Sequence, residues 1–275
     1  MSCSRLTVRT AAGLPMHHAL AAAALATLQL GAWAQSAGQL QVVTVTAERR
    51  VENIRDVPSS VSALQGEMLE VINSGGQDIR MLAGRVPSLN IESSFGRAFP
   101  RFYIRGIGNT DFDLNASQPV SLVFDDVVQE NPILKGFPIF DMERVEVLRG
   151  PQGTLFGRNS PAGVVKFESA KPGKKFEGYG SLSLGRFTAV NAEGAVNVPL
   201  GEGTALRVSL QSQNRKDWVE NTHDAGPTQD LDGYHDNAAR LQLSLAPTKD
   251  LGLLFNLHTR DLKGSARLFL SLIHI

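Results

Sequence analysis

The sequence predicts a compact α+β domain followed by the first few antiparallel strands of an incomplete transmembrane β-barrel. Three observations support this fold class. The first 34 residues have the pattern of an export signal. Residues 51–174 mix strand and helix patterns that glycine and proline interrupt, and residues 175–275 alternate apolar and polar side chains over long stretches.

An export signal accounts for residues 1–34, which we exclude from the folded protein. Arg5 and Arg9 give a positive start, residues 19–30 (ALAAAALATLQL) an apolar centre, and residues 32–34 (AWA) a small-residue cleavage site. A membrane-anchoring helix is the competing interpretation. The apolar centre is shorter than the about 20 residues that a helix needs to span a bilayer, so export is favoured.

Composition excludes several classes of function. Lysine plus arginine and aspartate plus glutamate number 27 each, so no basic excess indicates nucleic acid as a partner. Cys3 is the only cysteine and lies inside the export signal. An intrachain disulfide and a cysteine-based metal site are therefore excluded.

Residues 35–50 are predicted to form a flexible tail that carries one segment able to pair as a strand. The tail is mainly polar, and its β-branched run consists of Val42, Val43, Thr44, Val45 and Thr46.

Residues 51–174 carry the patterns of a small α+β domain. Two short helices are predicted at 66–73 and 77–85, separated by Gly75-Gly76 and followed by Pro87. Strands are predicted in five segments: VPSSVSAL (57–64), SLNIES (88–93), RFYIRGIG (101–108), VSLVFDD (120–126) and ERVEVLRG (143–150).

Residues 175–275 change to a period of two. In TALRVSLQSQ (204–213), leucine and valine alternate with arginine, serine and glutamine, and RLQLSLA (240–246) and LGLLFNLH (251–258) repeat this pattern. Strict alternation over about ten residues predicts a sheet with one apolar and one polar face. Both a soluble sandwich and a membrane barrel with lipid outside and water inside have such sheets.

Loop length separates these two folds. The long polar segment 215–236 alternates with short turns such as 199–203. Outer-membrane barrels have short turns at one end and long loops at the other, so the barrel is favoured.

A turn rich in glycine and proline follows the strand pattern ERVEVLR. Gly150, Gly153 and Gly157 permit positive φ, and Pro151 fixes its own φ, so the stretch is predicted to be a turn between two strands. A phosphate-binding loop would need four residues between its glycines and then a lysine. Here three residues separate Gly153 from Gly157 and an arginine follows, which argues against nucleotide binding.

This turn and its neighbours resemble the plug domain of TonB-dependent outer-membrane receptors, especially those that import iron complexes. Six segments resemble the family in its order over residues 41–174: VVTVTAERR, NIRDVPSSVSALQGEMLE, LAGRVPSLNI, FYIRGIG, ERVEVLRGPQGTLFGRN and AGVVKFESAKP. Two places depart from the family's pattern. Asp125-Asp126 replaces the usual Asp-Gly, and residues 161–166 (PAGVVK) replace a glycine-rich AGGAINI.

The resemblance implies an α+β plug domain, here residues 51–174, inside a 22-stranded barrel that would begin in residues 175–275. It also implies that the plug sits in the lumen and that TonB delivers energy from the inner membrane. A barrel of that size needs about 220 residues in strands alone, against about 100 here. We therefore expect a fragment that does not form a closed transporter by itself.

Site residues follow from the same resemblance. The residues expected to contact TonB are Val42, Val43, Thr44, Val45 and Thr46. Arg105 and Arg149 match plug arginines that pair with barrel glutamates in relatives. The turn expected to seat the plug contains Gly150, Pro151, Gly153 and Gly157. Ligand is expected on plug loops 95–100 and 108–118, where the candidate contacts are Phe95, Arg97, Phe99, Asn109 and Phe112.

Interpretations of these loops that involve no ligand and no metal remain open. The aromatic side chains can be ordinary packing at the tip of the plug. The aspartates of 111–126 and the histidines and aspartates of 223–236 lack regular ligand spacing, which favours solvated loops over a metal site. No catalytic set of serine, histidine and aspartate can be located, so an enzyme is not predicted.

The predicted function is therefore that of a receptor in the outer membrane of a Gram-negative bacterium. It would import a scarce nutrient, most plausibly a ferric siderophore, with no permanently bound cofactor. The expected partners are TonB at the periplasmic face, outer-membrane lipid and a small-molecule metal complex. A plug-domain binding or signalling module without transport is the alternative, and a soluble secreted sandwich is the third possibility.

Overall fold

A computed structural model describes residues 43–47, 49–74, 78–111, 113, 115–221 and 230–265. The predicted export signal, Val42, Phe112 and part of the polar segment 215–236 lie outside the described residues. Within the described part of the chain, no helix is both long enough and apolar enough to cross a membrane.

The predicted plug domain contains short strands and helices. In chain order they are β1 (Thr44–Val45), β2 (Glu52–Asn53), β3 (Ser60–Gln65), α1 (Glu67–Ser74), a 3₁₀ helix (Ile79–Gly84), β4 (Leu89–Glu92), β5 (Arg101–Ile104), β6 (Val120–Phe124), β7 (Val127–Gln129), a second 3₁₀ helix (Leu134–Gly136), β8 (Met142–Arg149), α2 (Gly153–Phe156) and β9 (Gly163–Ser169).

A mixed five-stranded sheet forms the centre of this domain, in the order β3-β8-β9-β6-β7. Strands β6 and β9 are parallel, and all other neighbours in the sheet are antiparallel. The strands β4 and β5, and likewise β1 and β2, form separate antiparallel pairs. The predicted mixture of strands and helices is thus confirmed.

The predicted elements differ from the observed ones mainly in type and length. The helix predicted at 66–73 is confirmed as α1. The helix predicted at 77–85 is a short 3₁₀ helix, which Asp78 caps by accepting a hydrogen bond from the Arg80 N–H at 3.0 Å. Such tight helices are common in short pieces, and Pro87 prevents this one from continuing.

Both faces of the central sheet are covered. Val145 and Val147 of β8 belong to the larger apolar core, whereas Leu148 belongs to a smaller core on the opposite face. The alternation in ERVEVLRG predicts this division correctly, because successive strand residues point to opposite faces. The larger core also includes residues of α1 and of the first 3₁₀ helix, and the smaller one includes Val45 of β1.

The Asp125-Asp126 turn joins β6 to β7 in two residues. Both residues have positive φ, 45° for Asp125 and 66° for Asp126, as a two-residue hairpin turn requires. Asp125 also accepts hydrogen bonds from the Ser169 N–H at 2.8 Å and the Ser169 hydroxyl at 2.6 Å. The turn geometry therefore forms although aspartate stands at the position where the family usually has glycine.

The second region forms one open antiparallel sheet, which we call the wall sheet. Its strands are β10 (Glu177–Gly185), β11 (Ala189–Gly201), β12 (Thr204–Arg215), β15 (Tyr234–Thr248) and β16 (Leu251–Gly264). Two further strands, β13 (Val219–Glu220) and β14 (Asp230–Leu231), pair with each other between β12 and β15. The predicted alternating strands are confirmed, in an open sheet.

The wall sheet is inverted relative to a soluble sandwich, because its polar face is buried and its apolar face is exposed. The buried polar residues are Asn197, Arg207, Ser209, Gln211, Gln213, Asp236, Arg240 and Gln242. The apolar face is exposed at Leu182, Leu184, Val196, Leu210, Leu241, Leu253, Phe255 and Leu257. An outward apolar band with polar residues inside is the arrangement of a membrane barrel.

The two ends of the wall sheet differ. Residues 202–203 and 249–250 make short turns at one end. The opposite end carries residues 186–188 and the long connection 216–233. This difference in loop length matches the sequence prediction, because outer-membrane barrels have short turns at one end and long loops at the other.

Candidate functional site

The main ionic contact between the plug domain and the wall sheet is centred on Asp141, the residue immediately before β8. Arg207 of β12 donates from Nε and Nη2 to the two carboxylate oxygens at 2.8 and 2.5 Å. The Ser209 hydroxyl donates to the same carboxylate, and Arg240 of β15 donates to it at 3.2 Å. Arg240 also donates to the backbone carbonyl of Asp141 at 2.6 Å. We call these four residues the Asp141 cluster.

Hydrogen bonds and neighbouring positive charges explain why the Asp141 carboxyl is ionised. Burial by itself raises the pKa of this carboxyl, but the hydrogen bonds from Arg207 and Ser209 and the charges of Arg207 and Arg240 outweigh it. The net pKa is therefore lowered, and Asp141 stays ionised. Two guanidinium groups bind this buried carboxylate. They therefore fix both the position and the angle of β8 relative to the wall sheet.

A second ionic contact lies closer to the long-loop end. Asp236 of β15 pairs with Arg260 of β16 at 2.7 Å and with Arg97 of a plug loop at 3.3 Å. The Arg97 guanidinium also donates to Gln213 at 2.6 Å and lies 3.5 Å from the centre of the Tyr234 ring. Arg97, a candidate ligand contact from sequence, therefore attaches its loop to the wall sheet.

A cavity of about 680 Å³ opens at the long-loop end, between plug residues 95–98 and the wall sheet. Phe95 and Arg97 line it from the plug, and Arg215 and Tyr234 line it from the wall. The guanidinium of Arg215 lies 4.9 Å from the Tyr234 ring centre. Arg215 also pairs with Asp232 of the lining at 3.2 Å. Because cationic side chains outnumber the two carboxylates of the lining, Asp78 and Asp232, the cavity presents a net positive charge and aromatic groups to a ligand.

Two of the other candidate ligand residues, Phe99 and Asn109, lie outside this lining. The ring of Phe99 packs edge-on against Phe95, which lines the cavity, and the two ring centres are 5.7 Å apart. Asn109 is engaged locally, since its amide donates to the Ser117 carbonyl at 2.9 Å. Phe112 is outside the described residues. Ligand contact by these three residues stays a prediction.

Arg105 and Arg149 lie together on the plug domain. Arg149 donates to the Pro87 carbonyl at 3.0 Å, to the Ser88 hydroxyl at 3.0 Å and to the Ser62 hydroxyl at 2.7 Å. Burial, and then the charge of Arg105, lower the pKa of Arg149. Among the described residues neither arginine has a carboxylate partner, so their predicted pairing with barrel glutamates stays a prediction.

The glycine turn closes on the plug domain itself. The Gly150 N–H donates to the Ala162 carbonyl at 3.0 Å, and Gly150 and Gly157 have positive φ of 94° and 88°. Gly153 begins α2 just after Pro151. The positive φ values explain Gly150 and Gly157 but not Gly153, and the seating of this turn against a barrel stays a prediction.

The segment expected to contact TonB is docked where the structure describes it. Thr44–Val45 pairs with Glu52–Asn53, and Val45 is fully buried in the smaller core. Residues 43–47 contain the strand-forming segment that was predicted within the tail 35–50, and the flexibility of that tail stays a prediction. The β-branched run has the strand propensity that was predicted, and burial of Val45 holds it in place.

Comparison with known proteins identifies this arrangement. Residues 53–164 match the family model described as TonB-dependent Receptor Plug Domain. The pesticin receptor of Yersinia enterocolitica is 26% identical over 215 residues, which are 78% of this chain and 30% of that protein. The catecholate siderophore receptor Fiu of Escherichia coli K12 is 30% identical over 137 residues, which are 50% of this chain and 15% of that protein.

A solved structure gives the same result. The ferric yersiniabactin uptake receptor FyuA from Yersinia pestis superposes with a TM-score of 0.62 at 25% identity, over 70% of this chain and 29% of that one. Residues 53–164 thus match the plug domain of TonB-dependent receptors, and the chain is similar to such receptors over its plug domain and adjoining wall strands. It spans about 30% of the length of the pesticin receptors it matches.

Proposed function

We propose that this chain belongs to an outer-membrane receptor that imports a ferric siderophore with energy from TonB. The observation that carries the proposal is the docking of the plug domain on the buried polar face of the wall sheet through the Asp141 cluster. A domain held this way occupies the lumen side of the strands, where a plug controls passage. The proposed role is transport, and no step of catalysis is needed for it.

The outward cavity supports the class of ligand. Its guanidinium groups attract negative charge, and its aromatic rings provide apolar contact area. Ferric complexes of anionic or aromatic chelators combine both properties. The names of the catecholate siderophore receptor and the ferric yersiniabactin receptor agree with such a ligand.

Energy would enter at the opposite end of the plug. The segment from Val42 to Thr46 would leave its docked position and pair with TonB as an added strand. This mode of binding uses backbone hydrogen bonds and tolerates varied side chains. Ligand in the outward cavity would favour the released state of the segment by contacting plug loop 95–100.

Uptake of radiolabelled ferric siderophores by a deletion strain tests this proposal. A strain complemented with a full-length receptor that contains this chain should accumulate iron, and removal of TonB or of the proton gradient should stop accumulation while leaving surface binding intact. Binding without any TonB-dependent accumulation would instead support the module that binds or signals without transport. Failure of every ferric complex to bind would contradict the ligand class.

A further inference from the structure

Two charged side chains are buried side by side on the face of the plug sheet that carries the smaller core. Glu146 of β8 is fully buried, and Lys166 of β9 is 1% exposed. They are opposite each other in the antiparallel register of these strands. Buried charges require partners, so their contacts indicate what they hold.

Thr46 lies between these two side chains. Its backbone N–H donates to Oε1 of Glu146 at 2.7 Å, and its hydroxyl donates to the same oxygen at 3.2 Å. The Lys166 ammonium donates to the Thr46 hydroxyl at 2.7 Å and to the Thr46 carbonyl at 3.4 Å. The N–H, hydroxyl and carbonyl of one residue are thus bound by a single pair of buried charges.

The remaining contacts keep the pair in position. Arg144 donates to Oε1 of Glu146 at 2.9 Å. Lys166 pairs with Glu168 at 2.8 Å and with Asp126 at 3.5 Å. Asp126 belongs to the turn between β6 and β7, so these contacts hold Lys166 against that turn as well as against Glu168.

We infer that Glu146 and Lys166 form a clamp on Thr46 that sets how readily the TonB-contact segment leaves the plug. This inference rests on the proposed function, because it names the residues that hold the segment expected to reach TonB. Val45 and Ala47, on either side of Thr46, are both buried, so the segment cannot leave without opening the clamp.

The register of the pair makes this clamp reversible. When Thr46 departs, Glu146 and Lys166 are cross-strand neighbours and can bind each other directly. A carboxylate or ammonium left without a partner in the interior would be strongly unfavourable, and this direct pairing avoids it. Each of the two charged groups therefore has a partner of some kind whether Thr46 is docked or released, which is what a releasable contact requires.

The reactivity of a thiol placed in the TonB-contact segment measures how often the clamp opens. Val43→Cys in a Cys3→Ser background of the full chain places a single thiol beside it, and the rate of maleimide labelling in isolated cell envelopes reports opening. Thr46→Val removes the hydroxyl that both charges contact and should speed labelling about tenfold, the effect of losing hydrogen bonds to charged groups. Thr46→Ser keeps the hydroxyl and should label at the parent rate.

Thr44→Val is the matched control, because it makes the same chemical change in the same segment away from Glu146 and Lys166. Its labelling rate should stay within about twofold of the parent, on the scale of ordinary surface substitutions. Equal rates for the two threonine variants would overturn the clamp. Lys166→Met provides a second test and should also speed labelling while protease resistance of the plug is retained. Because labelling needs neither TonB nor ligand, a failed clamp leaves the receptor proposal intact, and a failed uptake assay leaves the clamp intact.

Discussion

Arg207 of the wall sheet grips Asp141 of the plug domain with two parallel hydrogen bonds, at 2.8 and 2.5 Å, across 66 positions of the sequence. Both side chains are almost fully buried, at 9% and 2% exposure. A bidentate pair of this kind fixes an orientation as well as a distance. The plug domain is therefore held at a defined angle on the wall strands.

Replacing Asp141 with Ala should destabilise the docked arrangement by about 3–5 kcal/mol, because Arg207 and Arg240 would be left buried without their carboxylate. Chemical denaturation, followed by protease resistance of the plug, measures this loss. Lys263→Ala is a suitable control, since Lys263 forms an exposed pair with Asp261 and should cost less than about 1 kcal/mol. Equal losses for the two variants would contradict the role of the Asp141 cluster.

The burial of Lys135 predicts that the free energy of unfolding changes with pH in the alkaline range. This side chain is 3% exposed, its ammonium donates only to the Val120 carbonyl at 3.4 Å in the described structure, and burial lowers its pKa to about 8. Below pH 8 the lysine is protonated in both the folded and unfolded states, so the folded state carries the full cost of the buried charge. Between about pH 8 and 10.5 only the unfolded state keeps its proton, and the free energy of unfolding should rise by up to about 3 kcal/mol.

Lys135→Met should remove this dependence. The variant should be more stable than the parent near pH 7 by about 1–3 kcal/mol, and its stability should be flat between pH 8 and 10.5 as far as this residue is concerned. Denaturation at several pH values measures both effects. Lys174→Met, at an exposed position, should leave the pH profile of the parent unchanged. A parent whose stability falls steadily from pH 8 to 10 would contradict the buried charge.

The TonB-contact segment can be tested through its backbone. Val43→Pro in a full-length receptor removes a donor N–H and should stop uptake while ligand binding survives, because strand addition requires backbone hydrogen bonds. Val45→Pro should also stop uptake, but it disturbs the smaller core as well, since Val45 is fully buried. Val43→Ala keeps the donor and should transport. Normal uptake by the Val43→Pro variant would show that the segment is assigned wrongly.

Substitutions of Arg105 and Arg149 are expected to differ in their effect on the stability of the plug domain in this chain. In the described structure Arg149 bonds to four groups of the plug, whereas Arg105 makes no side-chain hydrogen bond. Arg149→Gln should therefore weaken the plug of this chain by about 1–2 kcal/mol, and Arg105→Gln should change it little. Denaturation of the chain measures this difference.

In a full-length receptor both arginine variants are expected to loosen the plug. Each would leave barrel carboxylates unpaired, at a cost of about 3–5 kcal/mol for each buried pair. Raised sensitivity to bulky antibiotics and faster plug proteolysis would report this effect. Unchanged leakage for both variants would count against their predicted pairing with the barrel.

The sequence predicts the fold well because periodicity is a local property. The alternation of Val145 and Val147 against Leu148 predicts which face of β8 each residue joins. The alternation around Arg207 predicts an apolar and a polar face, and the structure shows the polar one buried against the plug. Helix type was harder to predict, since a 3₁₀ helix and an α-helix of six residues have nearly the same apolar spacing.

The ionic contacts could not be predicted because they depend on distances between remote parts of the chain. Asp141 has no motif around it, and its partner Arg240 is 99 residues away. The available signal was weak: an arginine on the polar face of an alternating strand needs a partner. Arg97 shows the same limit: its loop position predicts ligand contact, which stays a prediction, but gives no sign that its guanidinium binds Gln213 and Asp236.

The order β3-β8-β9-β6-β7 determines how the plug would yield to a mechanical pull on its N-terminal segment. The segment leads through β2 into β3, which is an edge strand paired with β8 alone in the described part of the chain. Tension therefore reaches this edge before the middle of the sheet. Because the pairing is antiparallel, Ser60 and Arg149 form the end of the strand pair that separates first. The remaining residue pairs then separate one after another. Arg149 bonds to Ser62 at this same end, and Asp141 fastens the other end of β8 to the wall. Force would therefore peel one strand from the plug while the rest of the sheet stays fastened.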